Sequence, residues 1–178
     1  MSLWLVLGGS ASGKSAFAER LIGSTMGHMG VQYIATIDET LMDPTDVEFQ
    51  GRLAAHRLRR PQDWTLWQEP SDPVARILSL ATDAPVLWDG IGPVLSRMLL
   101  ENSEHFTEWL NRLSLLAQRQ GDTVVVSEEV GWGLLASSPQ TRSFVDALGQ
   151  VNQRLAELAT SVVLVVAGLP LWIKGRPV

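Results

Sequence analysis

Gly8-Gly9-Ser10-Ala11-Ser12-Gly13-Lys14-Ser15 is the stretch that decides how this chain folds. The octet fits the pattern G-x-x-x-x-G-K-[ST]. Before it, residues 3–7 read Leu-Trp-Leu-Val-Leu, a continuous apolar run of the kind buried on both faces of a parallel sheet. After it, Phe17, Leu21 and Ile22 fall at helical spacing. Strand, glycine-rich turn and helix follow in the order that a phosphate-binding loop requires. Small residues let successive backbone N–H groups converge on phosphate oxygens. The helix N-terminus adds the positive end of its dipole. Lys14 is the mobile charge for the β- and γ-phosphates, and the Ser15 hydroxyl is the candidate Mg²⁺ ligand. Twelve of the 14 basic residues are arginine, so a lysine at this one position is informative.

Outward from the loop, strands and helices alternate. Residues 31–35 read as a second strand, residues 36–45 as a polar loop, and residues 46 to about 60 as an amphipathic helix stopped by Pro61. Ser71-Asp72-Pro73 caps another helix. Residues 85–88 form a short apolar strand ending at Asp89. Residues 93–100 and 104–120 read as helical, 123–127 as a β-branched strand, 139–160 as a long helix and 161–167 as an apolar strand. The expectation is an α/β fold: a mostly parallel sheet with helices on both faces. Residues 1–178 are expected to form a single domain, since no repeat, low-complexity stretch or linker interrupts them.

Composition narrows the function. The chain has no cysteine, which removes disulfides, thiolate metal sites and cysteine nucleophiles. Its net charge is −5, which argues against a nucleic-acid footprint over the whole surface. Its longest apolar run, residues 162–173, is shorter than a membrane span and is broken by Gly168 and Pro170. The N-terminus lacks a basic leader, so no signal peptide and a cytoplasmic location are expected.

Two further sites have alternative readings. Asp89, at a strand end, is either the acid that holds Mg²⁺ or its water, or an ordinary turn aspartate. His56 lies on the predicted helix with Arg52 and Arg60 four residues to either side, and with Arg57 and Arg59 beside it. Flanking guanidinium groups would keep its imidazole neutral, suited to attack phosphorus, and would bind a phosphate tail. The other reading is a solvated basic helix face. His28 and His105 read as surface residues. Glu129 is either a water- or Mg²⁺-orienting acid or a plain strand-end acid. Asn152-Gln153-Arg154 reads as interface, substrate contact or surface, and Trp132, between two glycines, as a flat face for a planar ligand.

Several segments together resemble one family, the bifunctional adenosylcobinamide kinase / adenosylcobinamide-phosphate guanylyltransferases of cobalamin biosynthesis. They are the loop at 8–15, Tyr33-Ile-Ala-Thr36, and Arg52-Leu-Ala-Ala-His-Arg-Leu-Arg-Arg-Pro-Gln-Asp-Trp64. Toward the C-terminus come Val125-Val-Ser-Glu-Glu-Val-Gly-Trp-Gly133, Gly149-Gln-Val-Asn-Gln-Arg-Leu-Ala156 and Val165-Val-Ala-Gly-Leu-Pro-Leu171. The resemblance implies a RecA-like phosphate-loop fold, a homotrimer, and two reactions. A nucleoside triphosphate, ATP or GTP, phosphorylates the aminopropanol hydroxyl of adenosylcobinamide. GTP then donates GMP to that phosphate through a guanylylated histidine, which matches His56. It further implies nucleotide contacts from Gly8 to Ser15, Ala35, Thr36, Ile37, Arg57, Leu58, Arg59, Arg60, Gln68 and Asp89, with Mg²⁺ on Ser15 and Asp89. A monofunctional small-molecule kinase is the competing reading. The chain departs from the family pattern at Glu128, where asparagine is usual, at Gly90 and Gly92, where cysteine and a hydroxylated residue are usual, at Arg97-Met98-Leu99, where the family has asparagine-leucine-leucine, and at Gln68, often glutamate.

Overall fold

The computed structural model describes residues 2–37, 46–47, 51, 54, 60–69, 71–101, 105–133 and 136–175. In chain order these give β1 (Leu3–Gly8), α1 (Lys14–Arg20, prolonged by a π-helical turn Leu21–Thr25), β2 (Gln32–Ala35) and β3 (Thr65–Gln68). Then come α2 (Pro73–Ser79), β4 (Val86–Asp89), α3 (Gly92–Leu100), and α4 (Phe106–Arg112, continued as a 3₁₀ turn Leu113–Gln118). β5 (Thr123–Glu128), α5 (Pro139–Leu158), β6 (Ser161–Val166) and β7 (Leu169–Lys174) complete the order.

The strands form a seven-stranded sheet in the order β3-β2-β4-β5-β1-β6-β7. All pairs are parallel except β6 with β7. β1 lies between β5 and β6 and is buried along its whole length. Alternation along it divides the core. Leu3, Leu5 and Leu7 face one layer with Ile77, Leu95, Leu113, Leu148, Val151 and Leu155 from the helices that follow β3. Trp4 and Val6 face the other, with Ala18, Leu21 and Ile22 of α1 and its π turn. The expected sheet with helices on both faces is therefore observed.

Two strands that sequence reading does not register lie at the sheet edges. β3 is mostly exposed and carries no apolar pattern. β7 follows a tight turn in which Ala167 (φ 52°) and Gly168 (φ 78°) are both left-handed, the geometry that closes two-residue hairpins. Pro170 is tolerated there because an edge strand leaves one row of N–H groups unpaired. Most of the predicted 46–60 helix lies outside the described residues.

Local signals explain the other elements. The Asp72 side chain accepts from Ala75 N at 2.9 Å, and Pro73 opens α2. Ser138 does the same for α5, accepting from Thr141 N at 3.0 Å. His28 is not a bare surface residue. Its Nε2 lies 2.8 Å from Asp122 Oδ2, while Ser2 Oγ donates to Asp122 Oδ1 at 2.7 Å. Burial would raise the Asp122 pKa, but these hydrogen bonds outweigh it and hold the carboxyl below its usual range. His105 is 80% exposed, as expected of a surface residue. No helix of the described residues is long and apolar enough to cross a membrane.

Candidate functional site

The site lies at the carboxyl edge of the sheet. Register aligns Gly8 with Glu128 on one side of β5, and Asp89 with Val126 on the other. Ala35, in turn, pairs with both Asp89 and Gln68. The loop, Ala35, Gln68 and Asp89 thus emerge along one rim, where open α/β sheets present ligands. Gln68 is exposed at the end of β3, two strands from Asp89.

The loop conformation demands its glycines. A Cβ on Gly8 would come within 2.4 Å of Ser12 Oγ and 2.8 Å of Val165 O. Gly13, at φ 89°, is the N-cap of α1. Ala11 holds φ 55°, a left-handed conformation that a side chain adopts only against a cost of about 1 kcal/mol. The β6–β7 turn supports the loop from behind, with Gly168 N donating to Ser12 O at 2.8 Å. Lys14 folds back over the loop, its Nζ 3.3 Å from Gly9 O. Ser12 Oγ is buried without a hydrogen-bond partner among the described residues. An orphaned buried hydroxyl inside a ring of small residues suits an anionic oxygen.

Ser15 and Asp89 meet directly: Ser15 Oγ donates to Asp89 Oδ1 at 2.9 Å. The other carboxylate oxygen accepts from Tyr33 OH. Burial, and then the adjacent Asp89 charge, raise the Tyr33 pKa well above its usual value, so the phenol stays a donor. The turn after Asp89 is held as firmly. Thr36 Oγ1 and Trp88 Nε1 both donate to Gly90 O, at 2.5 and 3.1 Å. Glu128 Oε2 accepts from Gly92 N at 2.9 Å, placing a carboxylate at the N-terminus of α3.

That last contact ties two departures together, Glu128 and Gly92. A Cβ on Gly92 would lie 3.0 Å from Glu128 Oε2, and one on Gly90 3.2 Å from Thr36 Oγ1 and 3.8 Å from Glu128 Oε1. Gly92 leaves the room that the longer acid occupies, whereas Gly90 is set by its left-handed φ of 97° and the close Thr36 hydroxyl. Gly92 and Glu128 lie 36 positions apart in the chain, and sequence reading has no way to pair them; the only available signal is a glycine where a bulkier residue is usual.

A Mg²⁺ ion fits the donors in one way. Among the described residues no group of three or more His, Asp or Glu side chains could hold a metal by itself. A hard cation at Ser15 Oγ and the Asp89 carboxylate would therefore need phosphate oxygens and water to complete its shell, and would arrive with the nucleotide.

Arg60 is described: its guanidinium stacks on the Tyr33 ring, 4.3 Å from the centroid. The arginine at the end of the His56 segment thus rests on the tyrosine that holds Asp89. His56, Arg52, Arg57, Leu58 and Arg59 lie outside the described residues. Ala35, Thr36 and Ile37 leave β2 at the rim, although the Thr36 hydroxyl is engaged with Gly90. Tyr33, quoted above only within a motif, is the residue whose importance sequence reading missed.

Tyr33→Phe removes one charge-assisted hydrogen bond from Asp89. The expected result is a Mg²⁺ requirement raised about 10-fold, corresponding to ~1.4 kcal/mol. Mg²⁺ titration of the catalysed reaction checks this, and an unchanged requirement would show that Asp89 is positioned without the phenol.

The sheet order, the loop on β1 and the acid on β4 define a phosphate-loop nucleoside-triphosphate fold. Solved structures agree on the fold. The flagellar accessory protein FlaH from Methanocaldococcus jannaschii superposes with a TM-score of 0.54 at 13% identity, covering 98% of this chain and 79% of that one. A KaiC-like protein from Pyrococcus horikoshii gives 0.52 at 15% identity, covering 92% and 70%. The model of the family "cobinamide kinase / cobinamide phosphate guanyltransferase" matches residues 4–173, and the chain belongs to this family of transferases. It is 34% identical to the bifunctional adenosylcobalamin biosynthesis protein CobP of Pseudomonas aeruginosa, covering 97% of this chain and 98% of that one. It is 32% identical to the bifunctional adenosylcobalamin biosynthesis protein CobU of Escherichia coli, covering 96% and 98%.

Proposed function

We propose that the chain, acting as one domain over residues 1–178, phosphorylates adenosylcobinamide and then converts the phosphate to adenosylcobinamide-GDP. The observation that carries the reading is the Ser15–Asp89 hydrogen bond at the mouth of a glycine loop whose lysine is in place. It supports a Mg²⁺-nucleotide site, and the family supplies the acceptor.

In the first step the aminopropanol oxygen attacks the terminal phosphorus of ATP or GTP. The bond to the bridging oxygen breaks and a nucleoside diphosphate leaves. Gly9, Ser10, Ala11, Ser12 and Gly13 cradle the phosphates, and Lys14 balances the charge that moves onto the leaving group. Mg²⁺ on Ser15 and Asp89 would neutralise phosphate charge. In the second step a His56 ring nitrogen attacks the α-phosphorus of GTP and expels pyrophosphate. The corrinoid phosphate oxygen then attacks the same phosphorus and releases the imidazole. Splitting the transfer conserves its driving force in a phosphoramidate bond. Arg57, Arg59 and Arg60 bind the phosphate tail; Leu58, Ala35, Ile37 and Gln68 line the nucleotide. A homotrimer is inferred from the resemblance alone.

The test is product formation. The chain, incubated with adenosylcobinamide, Mg²⁺ and GTP, should yield the phosphate ester and then the GDP ester, resolved by mass spectrometry. Absence of both, with ATP as well as GTP, overturns the reading.

A further inference from the structure

A cavity of about 220 Å³ opens between the connection that follows β5 and the exposed flank of α5. Its polar lining consists of the carboxylates of Glu129 and Asp146 and the amides of Asn152 and Gln153, against apolar walls that include Val145 and Leu148. No basic side chain lines it. Two carboxylates without a cation repel phosphate, so this is no second nucleotide site. Its carboxylates accept hydrogen bonds and its amides both donate and accept, so it suits a neutral or cationic group with N–H donors, such as an amide, on a short hydrocarbon arm.

The cavity has a fixed relation to the loop. Glu129 N donates to Gly8 O at 3.1 Å, so the cavity wall is continuous with the first residue of the phosphate loop. Its floor is rigid. Asn152 is 8% exposed; it receives a hydrogen bond from Ser127 Oγ at 2.6 Å and donates to Glu128 O at 3.0 Å. Gly131 N donates to Glu129 Oε1 at 3.0 Å, which turns the connection toward Trp132. Trp132 is 75% exposed.

We infer that this cavity is the acceptor subsite, taking a carboxamide-bearing arm at the edge of the corrinoid while the macrocycle stays outside, beside Trp132. The inference rests on the proposed function and deepens it. Size sets the mode: 220 Å³ holds one amide arm and is too small for a tetrapyrrole-sized ring.

Gly149 provides the test. It lines the cavity, and a Cβ placed on it meets nothing within 4 Å. Gly149→Leu therefore adds bulk at the cavity wall with a Cβ that meets no neighbour, and it does not lower helix propensity. Asp146→Ala removes an acceptor from an exposed position. Kinetics on the full chain with adenosylcobinamide should show KM for the corrinoid raised at least 10-fold in Gly149→Leu and several-fold in Asp146→Ala. KM for the nucleotide and the melting temperature should be unchanged. Equilibrium dialysis with dicyanocobinamide should show the same order of weakening. Active variants with wild-type corrinoid KM would overturn the subsite while leaving the proposed function intact. A wild-type chain that neither binds dicyanocobinamide nor forms product overturns both. A changed elution volume for Gly149→Leu with unaltered corrinoid KM would overturn the subsite and assign the cavity to subunit contact.

Discussion

Lys14→Ala lowers kcat/KM for the kinase step by about 10³-fold, corresponding to roughly 4 kcal/mol of lost transition-state stabilisation. The side chain is held over the loop by a hydrogen bond to Gly9 O, and it carries the charge proposed for the phosphates. That one weak contact contributes little to folding. The melting temperature of the variant should stay within about 2 °C of wild type, as for surface substitutions generally. Lys14→Arg should not rescue activity, because a planar guanidinium does not replace a compact ammonium inside a tight loop. Steady-state kinetics with thermal unfolding checks both parts. Retained activity in Lys14→Ala would remove the loop from the chemistry, and a large drop in melting temperature would make the lysine structural.

The largest expected stability effect lies far from the loop, at Arg119. It is 4% exposed and donates to three backbone carbonyls: Ile77 O at 2.8 Å, Ala81 O at 3.0 Å and Ala84 O at 2.8 Å. Ile77 O and Ala81 O also accept from the backbone N–H groups of Leu80 and Ala84, so the guanidinium adds a second donor to each and ties the end of α2 to the turn into β4. Burial lowers the Arg119 pKa, with the Asp83 charge opposing, but a guanidinium remains protonated. Arg119→Ala removes the side-chain donor from Ala84 O, the second donor from Ile77 O and Ala81 O, and leaves a void beneath the start of β5. A loss of about 2–3 kcal/mol is expected, or on the order of 5–10 °C in melting temperature for a chain of this size. Arg119→Lys should recover only part of it, since one ammonium on a flexible stem does not span the fork that reaches three carbonyls. Denaturant unfolding with an unchanged slope is the measurement. A loss below 1 kcal/mol would mean that water replaces the guanidinium.

These two residues also show what sequence reading reaches. Lys14 is legible because a phosphate loop is local: eight consecutive residues carry the conformation, and the left-handed φ of Gly13 and the close approach at Gly8 require glycine. Asp89 is legible because an apolar strand ends on it. Arg119 is not, because its partners lie 35 to 42 residues away. The same holds for Tyr33, whose hydroxyl bonds a residue 56 positions on, and for Glu128, whose space is left by Gly92 at the start of α3. β1, β4, β5 and β6 are buried and announce themselves by apolar runs. β3 and β7 sit at the edges, where one row of backbone groups is unpaired and polarity carries no rule. Part of the candidate site shares this division. The loop, Ser15 and Asp89 lie together at one rim of the sheet, and their roles, like that given to His56, are proposals; the His56 role rests on resemblance and on its arginine neighbours in the sequence.

The central claim is therefore tested at that histidine. The full chain is incubated with Mg²⁺ and GTP labelled at the α-phosphate, without corrinoid, then denatured. The account predicts label that stays with the protein, is stable in alkali and labile in acid, and is absent from His56→Ala. Label of equal amount on His56→Ala, or none on a wild-type chain that still phosphorylates adenosylcobinamide, would contradict it.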